Sequence, residues 1–191
     1  MKTSLGSQAE TDLRSQAAGS SGRTVILVGF MGAGKTSVGR TLGQRLGWQF
    51  EDLDDRIQTR QRRTIEQIFK ESGEAEFRRA EHAALCELLA EAGATSRIVA
   101  LGGGAFAQAG NAALIKDSGA AVVFLDAPVE ELFRRCEQES RERPLRQDRQ
   151  RFGDLYETRK PHYLAGTIRI DTAGKDVESV AAEVARTLGI P

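Results

Sequence analysis

Thr24-Val25-Ile26-Leu27-Val28, followed at once by Gly29-Phe30-Met31-Gly32-Ala33-Gly34-Lys35-Thr36, decides the fold. The first five residues are β-branched or aliphatic, as a strand buried on both faces must be. The next eight fit G-x-x-x-x-G-K-[ST], and the chain then continues helically from Gly34 to Leu46. Three glycines let a backbone wrap close to phosphate oxygens without Cβ collisions, and successive N–H groups converge on the anion at a helix N-terminus. This strand–loop–helix unit assigns Gly32, Ala33, Gly34, Lys35, Thr36 and Ser37 to the phosphates of a nucleotide, with Lys35 reaching the β- and γ-phosphates and Thr36 ligating Mg²⁺. A dinucleotide site is the rival, since Asp52 lies at the distance of a ribose-binding acid. It fails because the chain has no G-x-G-x-x-G.

Outward from this unit, short apolar runs alternate with longer helical stretches. The runs are Trp48-Gln49-Phe50 leading into Asp52, Arg97 to Leu101, Ala121 to Leu125 and Thr167 to Ile170. Each is separated from the next by enough chain for a crossover helix, which predicts an α/β fold with a parallel sheet. Phe77, Ala84, Leu85, Leu88 and Leu89 give one helix an apolar face. At 191 residues the chain suits one domain. Lys plus Arg equals Asp plus Glu at 27 each, so no global field draws it to nucleic acid or membrane. No stretch approaches the roughly eighteen apolar residues of a membrane helix. Residues 1–22 are polar and small, and read as a disordered lead-in to a domain over 23–191. Cys86 and Cys136 lack metal-ligand spacing and suit a reducing, cytoplasmic setting as packing residues.

Several segments bear on an acceptor. Asp52-Leu53-Asp54 follows the second strand, where alternation along an extended chain would aim both carboxylates at the cleft: one to support Mg²⁺, one to accept a hydroxyl proton. The competing reading is an acidic loop in which Asp54 or Asp55 caps the next helix. Arg78, in Glu76-Phe77-Arg78-Arg79, offers a planar fork for a carboxylate or is simply a surface charge. Gly102-Gly103-Gly104 follows a buried run and allows a ligand against bare backbone. From Glu137 to Arg151 the chain is dominated by Arg, Glu and Gln, with Leu145 its only large apolar residue. This predicts a mobile surface excursion that can serve as a lid carrying Arg143. Asp126 closes an apolar run in the manner of a metal-binding acid, but Pro128 favours reading it as a helix N-cap.

In order, the glycine-rich loop, Asp-x-Asp, Glu-Phe-Arg-Arg, Gly-Gly-Gly, Arg143-Pro144-Leu145 and Arg159-x-Pro161-x-Tyr163 resemble the shikimate kinase family from about Arg23 to Pro191. The resemblance implies a P-loop NTPase fold, three-layer α/β/α with a five-stranded parallel sheet in order 2-3-1-4-5 and a mobile lid at about 137–151. It implies ATP and Mg²⁺ as cofactors and shikimate as the small-molecule substrate, while the even charge balance and the lack of a long unmatched apolar stripe point to a cytoplasmic monomer with no nucleic-acid or membrane partner. Carried over residue by residue, Lys35 holds ATP phosphates, Thr36 and Asp52 serve the metal, and Asp54 binds ring hydroxyls and is the base. Arg78 and Arg159 grip the carboxylate, and Gly102, Gly103 and Gly104 line the pocket. Arg143 is the lid arginine at the transferred phosphate, and Arg135 stacks near adenine, with the loop Asp171 to Lys175 close to the base. The stretch from Arg135 to Arg143 runs about a residue longer than the family pattern. Two alternatives stay open: another kinase of this fold acting on gluconate or a nucleoside monophosphate, and a ligand-sensing domain without turnover.

Overall fold

The computed structural model describes residues 22–91, 93, 95–138, 148–165 and 168–190. Along the chain run β1 (Thr24–Val28), α1 (Lys35–Leu46), β2 (Gln49–Asp52), α2 (Leu53–Gln61), α3 (Ile65–Ala90), β3 (Arg97–Ala100), α4 (Ala109–Asp117), β4 (Ala121–Asp126), α5 (Val129–Gln138), α6 (Arg149–Leu164), β5 (Ile168–Asp171) and α7 (Val177–Thr187). Of the expected lead-in over 1–22 only Gly22, whose N–H donates to the Gly93 carbonyl at 3.0 Å, is among the described residues, and of the expected lid over about 137–151 residues 139–147, with Arg143, Pro144 and Leu145, lie outside them. On either side of that segment the chain is helical, since Glu137 and Gln138 end α5 and Arg149 to Arg151 begin α6 under an Asp148 N-cap.

The sheet is parallel throughout, in the order β2-β3-β1-β4-β5. β1 pairs with β3 from Thr24↔Arg97 and with β4 from Val25↔Ala121. The connection leaving β1 runs out to β2 on one side of the sheet and the one leaving β3 crosses to β4 on the other, so the winding reverses between β1 and β3 and opens a crevice at their carboxyl ends. Val25, Ile26, Leu27 and Val28 on β1, Ile98, Val99 and Ala100 on β3 and Val123, Phe124 and Leu125 on β4 form the buried middle of the core. β2 and β5 are the edges and are only partly covered. Helices flank the sheet in α/β/α layers, with α1 against α7 and α3 against α2 and α4. No helix among the described residues is long and apolar enough to cross a membrane.

Two helices carry the acceptor-side arginines. α3 starts with a capping box, in which the Thr64 hydroxyl accepts from the Gln67 N–H while the Gln67 side chain accepts from the Thr64 N–H. It breaks at Gly73, whose φ of 77° is outside helical range, and resumes through Phe77 and Arg78. Its apolar stripe of Phe77, Ala84, Leu85 and Leu88 is buried, as the sequence periodicity predicts. α6, which periodicity did not reveal, runs through Pro161 and buries Phe152, Tyr156 and Tyr163.

Asp126 is not an N-cap. It ends β4 with 1% exposure, accepts from the Tyr156 hydroxyl at 2.9 Å and pairs with Arg169 at 2.9 Å, while α5 begins only at Val129. Tyr156 and Arg169 are distant in sequence, and their convergence turns a capping candidate into a buried tie between β4, α6 and β5. Burial and then the Asp126 carboxylate push the Tyr156 phenol far above its ordinary range, so it remains a donor.

Candidate active site

The phosphate loop is bent by three glycines, Gly29, Gly32 and Gly34, at φ values of 147°, 77° and 82°. A Cβ on Gly29 would lie 2.4 Å from the Leu125 carbonyl oxygen, and one on Gly32 2.4 Å from that of Leu132, so the loop is pressed against β4 and α5. Gly34 caps α1 without a side-chain hydrogen bond, leaving the first-turn N–H groups unblocked by any capping side chain. Lys35 Nζ donates across the loop to the carbonyls of Gly29 at 2.9 Å and Phe30 at 3.0 Å. Ala33 is buried beneath the loop and Ser37 is exposed beside it. Arg135, on α5, donates to Thr172 Oγ1 at 3.0 Å and to the Thr172 carbonyl at 2.7 Å. It therefore fastens α5 to the loop 171–175, the segment expected near the base.

Asp52 joins the nucleotide side to the acceptor side. Its Oδ2 accepts from the Thr36 hydroxyl at 2.8 Å, and its Oδ1 accepts from the Asp54 N–H at 3.0 Å, capping α2. This corrects two expectations. Asp52, and not Asp54 or Asp55, is the cap, and the two carboxylates reach the cleft because the chain turns from strand into helix between them, burying Leu53, rather than by alternation along a strand. Thr36 and Asp52 offer two hard oxygens side by side. That donor set fits Mg²⁺, which keeps several waters and takes few protein ligands when nucleotide phosphates complete its shell. Among the described residues no cluster of three or more His, Cys, Asp or Glu could hold a metal by itself.

The glycines after β3 gather the rest. A Cβ on Gly102 would fall 2.6 Å from Asp54 Oδ1, and one on Gly104 would fall 2.8 Å from Arg78 Nη2 and 3.3 Å from Arg159 Nη2. Asp54 from α2, Arg78 from α3 and Arg159 from α6 thus converge on three residues of bare backbone. Arg78 is held by Glu81 at 2.9 Å and by Glu74 at 3.2 Å, with its guanidinium 5.1 Å from the Phe77 ring. The Arg159 guanidinium lies over the Phe30 ring at 5.9 Å, and Phe30 packs edge-on against Phe152 and Tyr156. The Tyr163 hydroxyl donates to the Gly103 carbonyl, and burial pushes that phenol up to about 12.

Glu81 is the functional residue that sequence reading missed. It is 1% exposed, and burial raises its carboxyl above the ordinary value although Arg78 and Arg159 pull the other way. Its signal was present, because Glu81 falls in phase with Phe77, Ala84, Leu85 and Leu88 on the buried face of α3. Arg78 and Arg159 bring two guanidiniums to the same glycines, and a guanidinium fork is the complement of a carboxylate on an acceptor. A cavity of about 660 Å³ bounded by Arg40, Phe50, Asp55 and Arg60 shares only Asp52 with this site, and Arg56 in its wall is already paired with Glu51 and Glu91.

A phosphate loop at the switch point of a 2-3-1-4-5 sheet, facing an acid and two arginines across a few residues of glycine, defines a P-loop kinase of small carboxylated acceptors. The shikimate kinase family model matches residues 31–189. The shikimate kinase of Geobacter sulfurreducens is 41% identical over 169 residues, covering 87% of this chain and 91% of that relative. That of Persephonella marina is 36% identical over 162 residues, covering 85% and 96%. The solved structure of shikimate kinase from Acinetobacter baumannii in complex with shikimate superposes with a TM-score of 0.80 at 35% identity, covering 90% of this chain and 95% of that one. The chain belongs to the shikimate kinase family.

Proposed function

We propose that the protein transfers the γ-phosphoryl group of ATP to a ring hydroxyl of shikimate, giving shikimate 3-phosphate and ADP. The observation that carries this reading is the convergence of Asp54, Arg78 and Arg159 on Gly102 to Gly104, next to a loop built for phosphates. Arg78 and Arg159 hold the acceptor carboxylate, with Glu81 keeping Arg78 extended toward it. Gly102, Gly103 and Gly104 admit the ring because no side chain stands in its place. Asp54 orients the ring hydroxyls and takes the proton of the attacking one.

On the donor side, the N–H groups of Gly32, Ala33 and Gly34 and the first turn of α1 with Lys35, Thr36 and Ser37 cradle the phosphates. Lys35 neutralises charge as the phosphoryl group moves. Thr36 and Asp52 would hold Mg²⁺ at the loop. When bound, the ion neutralises charge on the phosphate oxygens. Arg135, fastened to Thr172, borders the adenine. Arg143, outside the described residues, is the arginine expected at the transferred phosphate. We read the protein as a monomer, because the large exposed apolar residues among those described, Phe69, Leu164, Ile168 and Val177, are few.

The test is a coupled assay of ADP release with shikimate, quinate, gluconate and nucleoside monophosphates as acceptors. Turnover with shikimate at least a hundredfold above the others in kcat/KM is expected. Preference for gluconate or a nucleotide would move the protein to another acceptor class, and tight shikimate binding without ADP release would make it a sensor.

A further inference from the structure

A chain of hydrogen bonds between α3 and the loop after β3 is not used by the chemistry above. His82 Nδ1 lies 2.7 Å from Asn111 Oδ1, and Asn111 Nδ2 donates to the Ala105 carbonyl at 3.0 Å. With the amide nitrogen committed to a carbonyl, the amide oxygen faces His82, and the network assigns the imidazole proton to Nδ1. Cys86 Sγ lies 3.5 Å from the other ring nitrogen and can donate weakly to it. Asn111 is 1% exposed, a position where an amide is tolerated only with its groups satisfied.

The two ends of this chain belong to the acceptor site. Ala105 directly follows Gly104, and its N–H donates to the Gly102 carbonyl at 3.0 Å, closing the turn that presents the three glycines. His82 adjoins Glu81 and lies one helical turn beyond Arg78. The Gly103 carbonyl is held separately by Tyr163 of α6. The glycine loop is therefore moored to α6 at residue 103 and, through Asn111, to α3 at residue 105.

We infer that Asn111, with His82, is a positioning residue for the acceptor: it fixes the glycine loop relative to the helix that carries Arg78. This inference rests on the acceptor site proposed above. A mooring of this kind sets the gap between guanidinium and backbone, so loosening it lowers affinity for the acceptor without touching the phosphate loop. If Asn111 only completed its local turn, the far end of the chain at His82 would be irrelevant to binding.

Three variants test the inference. Asn111→Asp keeps an acceptor for His82 but loses the donor to Ala105. His82→Ala removes the other end at an exposed position where folding is not at risk, and His82→Asn restores an amide N–H where Nδ1 stood. Asn111→Asp and His82→Ala are expected to raise KM for shikimate roughly five- to tenfold, the scale of one lost buried hydrogen bond, with KM for ATP changed less than about twofold. His82→Asn should return KM toward wild type. Amides of residues 102–108 should exchange faster in the first two variants and at the wild-type rate in the third, measured without substrate. Unchanged exchange there, unchanged KM for shikimate, or KM values for both substrates rising together overturns the positioning role. Failure of the wild type to phosphorylate shikimate would instead refute the acceptor reading, and the exchange measurement would still decide whether the loop is moored through Asn111.

Discussion

Alanine substitutions along the glycine loop separate binding from chemistry within three adjacent residues. At Gly104 the new methyl would sit 2.8 and 3.0 Å from the two terminal nitrogens of Arg78 and 3.3 Å from Arg159 Nη2. All three contacts are to the ends of flexible side chains, so the fold accommodates the methyl by moving the guanidiniums, and the cost appears in acceptor binding. A charge-assisted hydrogen bond is worth about 1.5–3 kcal/mol, which corresponds to a rise in KM for shikimate of roughly ten- to a hundredfold. KM for ATP should stay within about twofold. At Gly102 the methyl meets Asp54 Oδ1 at 2.6 Å, so that variant should lose kcat more than it gains KM. At Gly103 nothing lies closer than 3.7 Å, and the effect should be the smallest of the three. Initial rates in the coupled ADP assay, varied in each substrate in turn, give kcat and both KM values for each variant. A Gly104→Ala enzyme with wild-type KM for shikimate, or a Gly103→Ala enzyme impaired as badly as the other two, would refute the convergence argument.

Lys35→Ala and Asp54→Asn should each abolish measurable turnover while leaving the thermal transition within a few degrees of wild type; an Asp54→Asn enzyme with near-normal kcat would remove Asp54 as the base. Arg143→Ala should cut kcat far more than it weakens shikimate binding, which calorimetry alongside kinetics would reveal. The Glu81 carboxyl is raised above its ordinary value near 4.5, chiefly by burial. The folded protein then holds that proton more tightly than the unfolded chain, so this group favours folding below 4.5 and the contribution is lost as pH rises through its raised value. Urea unfolding between pH 4 and 7 should show a flatter stability profile for Glu81→Gln than for wild type over that window, and parallel profiles would contradict the shift.

Residues that pack by local rules were legible in the sequence, and those that depend on distant partners were not. β1, β3 and β4 are apolar because both their faces are covered, and the phosphate loop is specified by its own glycines. The edges β2 and β5 carry weaker patterns, and strand order came from family resemblance rather than from periodicity. Asp52 and Asp54 were correctly paired for the wrong reason: the cap that turns the chain between them depends on a helix starting at Leu53, one residue after the strand ends. Asp126 was misread because Tyr156 and Arg169 arrive from 30 and 43 residues away. Arg97 illustrates the same limit. It opens β3 with only 5% exposure, bonded to the Leu88 and Glu91 carbonyls and facing Glu51, an arrangement with no local signature.

The sheet order also has a consequence during synthesis. β1 is the first strand of this sheet to leave the ribosome and lies at its centre, but its neighbours begin only at Arg97 and Ala121. At translation speeds of about 5–20 residues per second, Val25 to Val28 wait on the order of ten seconds before either edge can be covered. A nascent chain carrying four consecutive aliphatic residues with unpaired backbone is a template for association with its neighbours on a polysome. The strand that leads into the glycine-rich loop therefore spends its first seconds with both edges uncovered, and a holding chaperone would shield it.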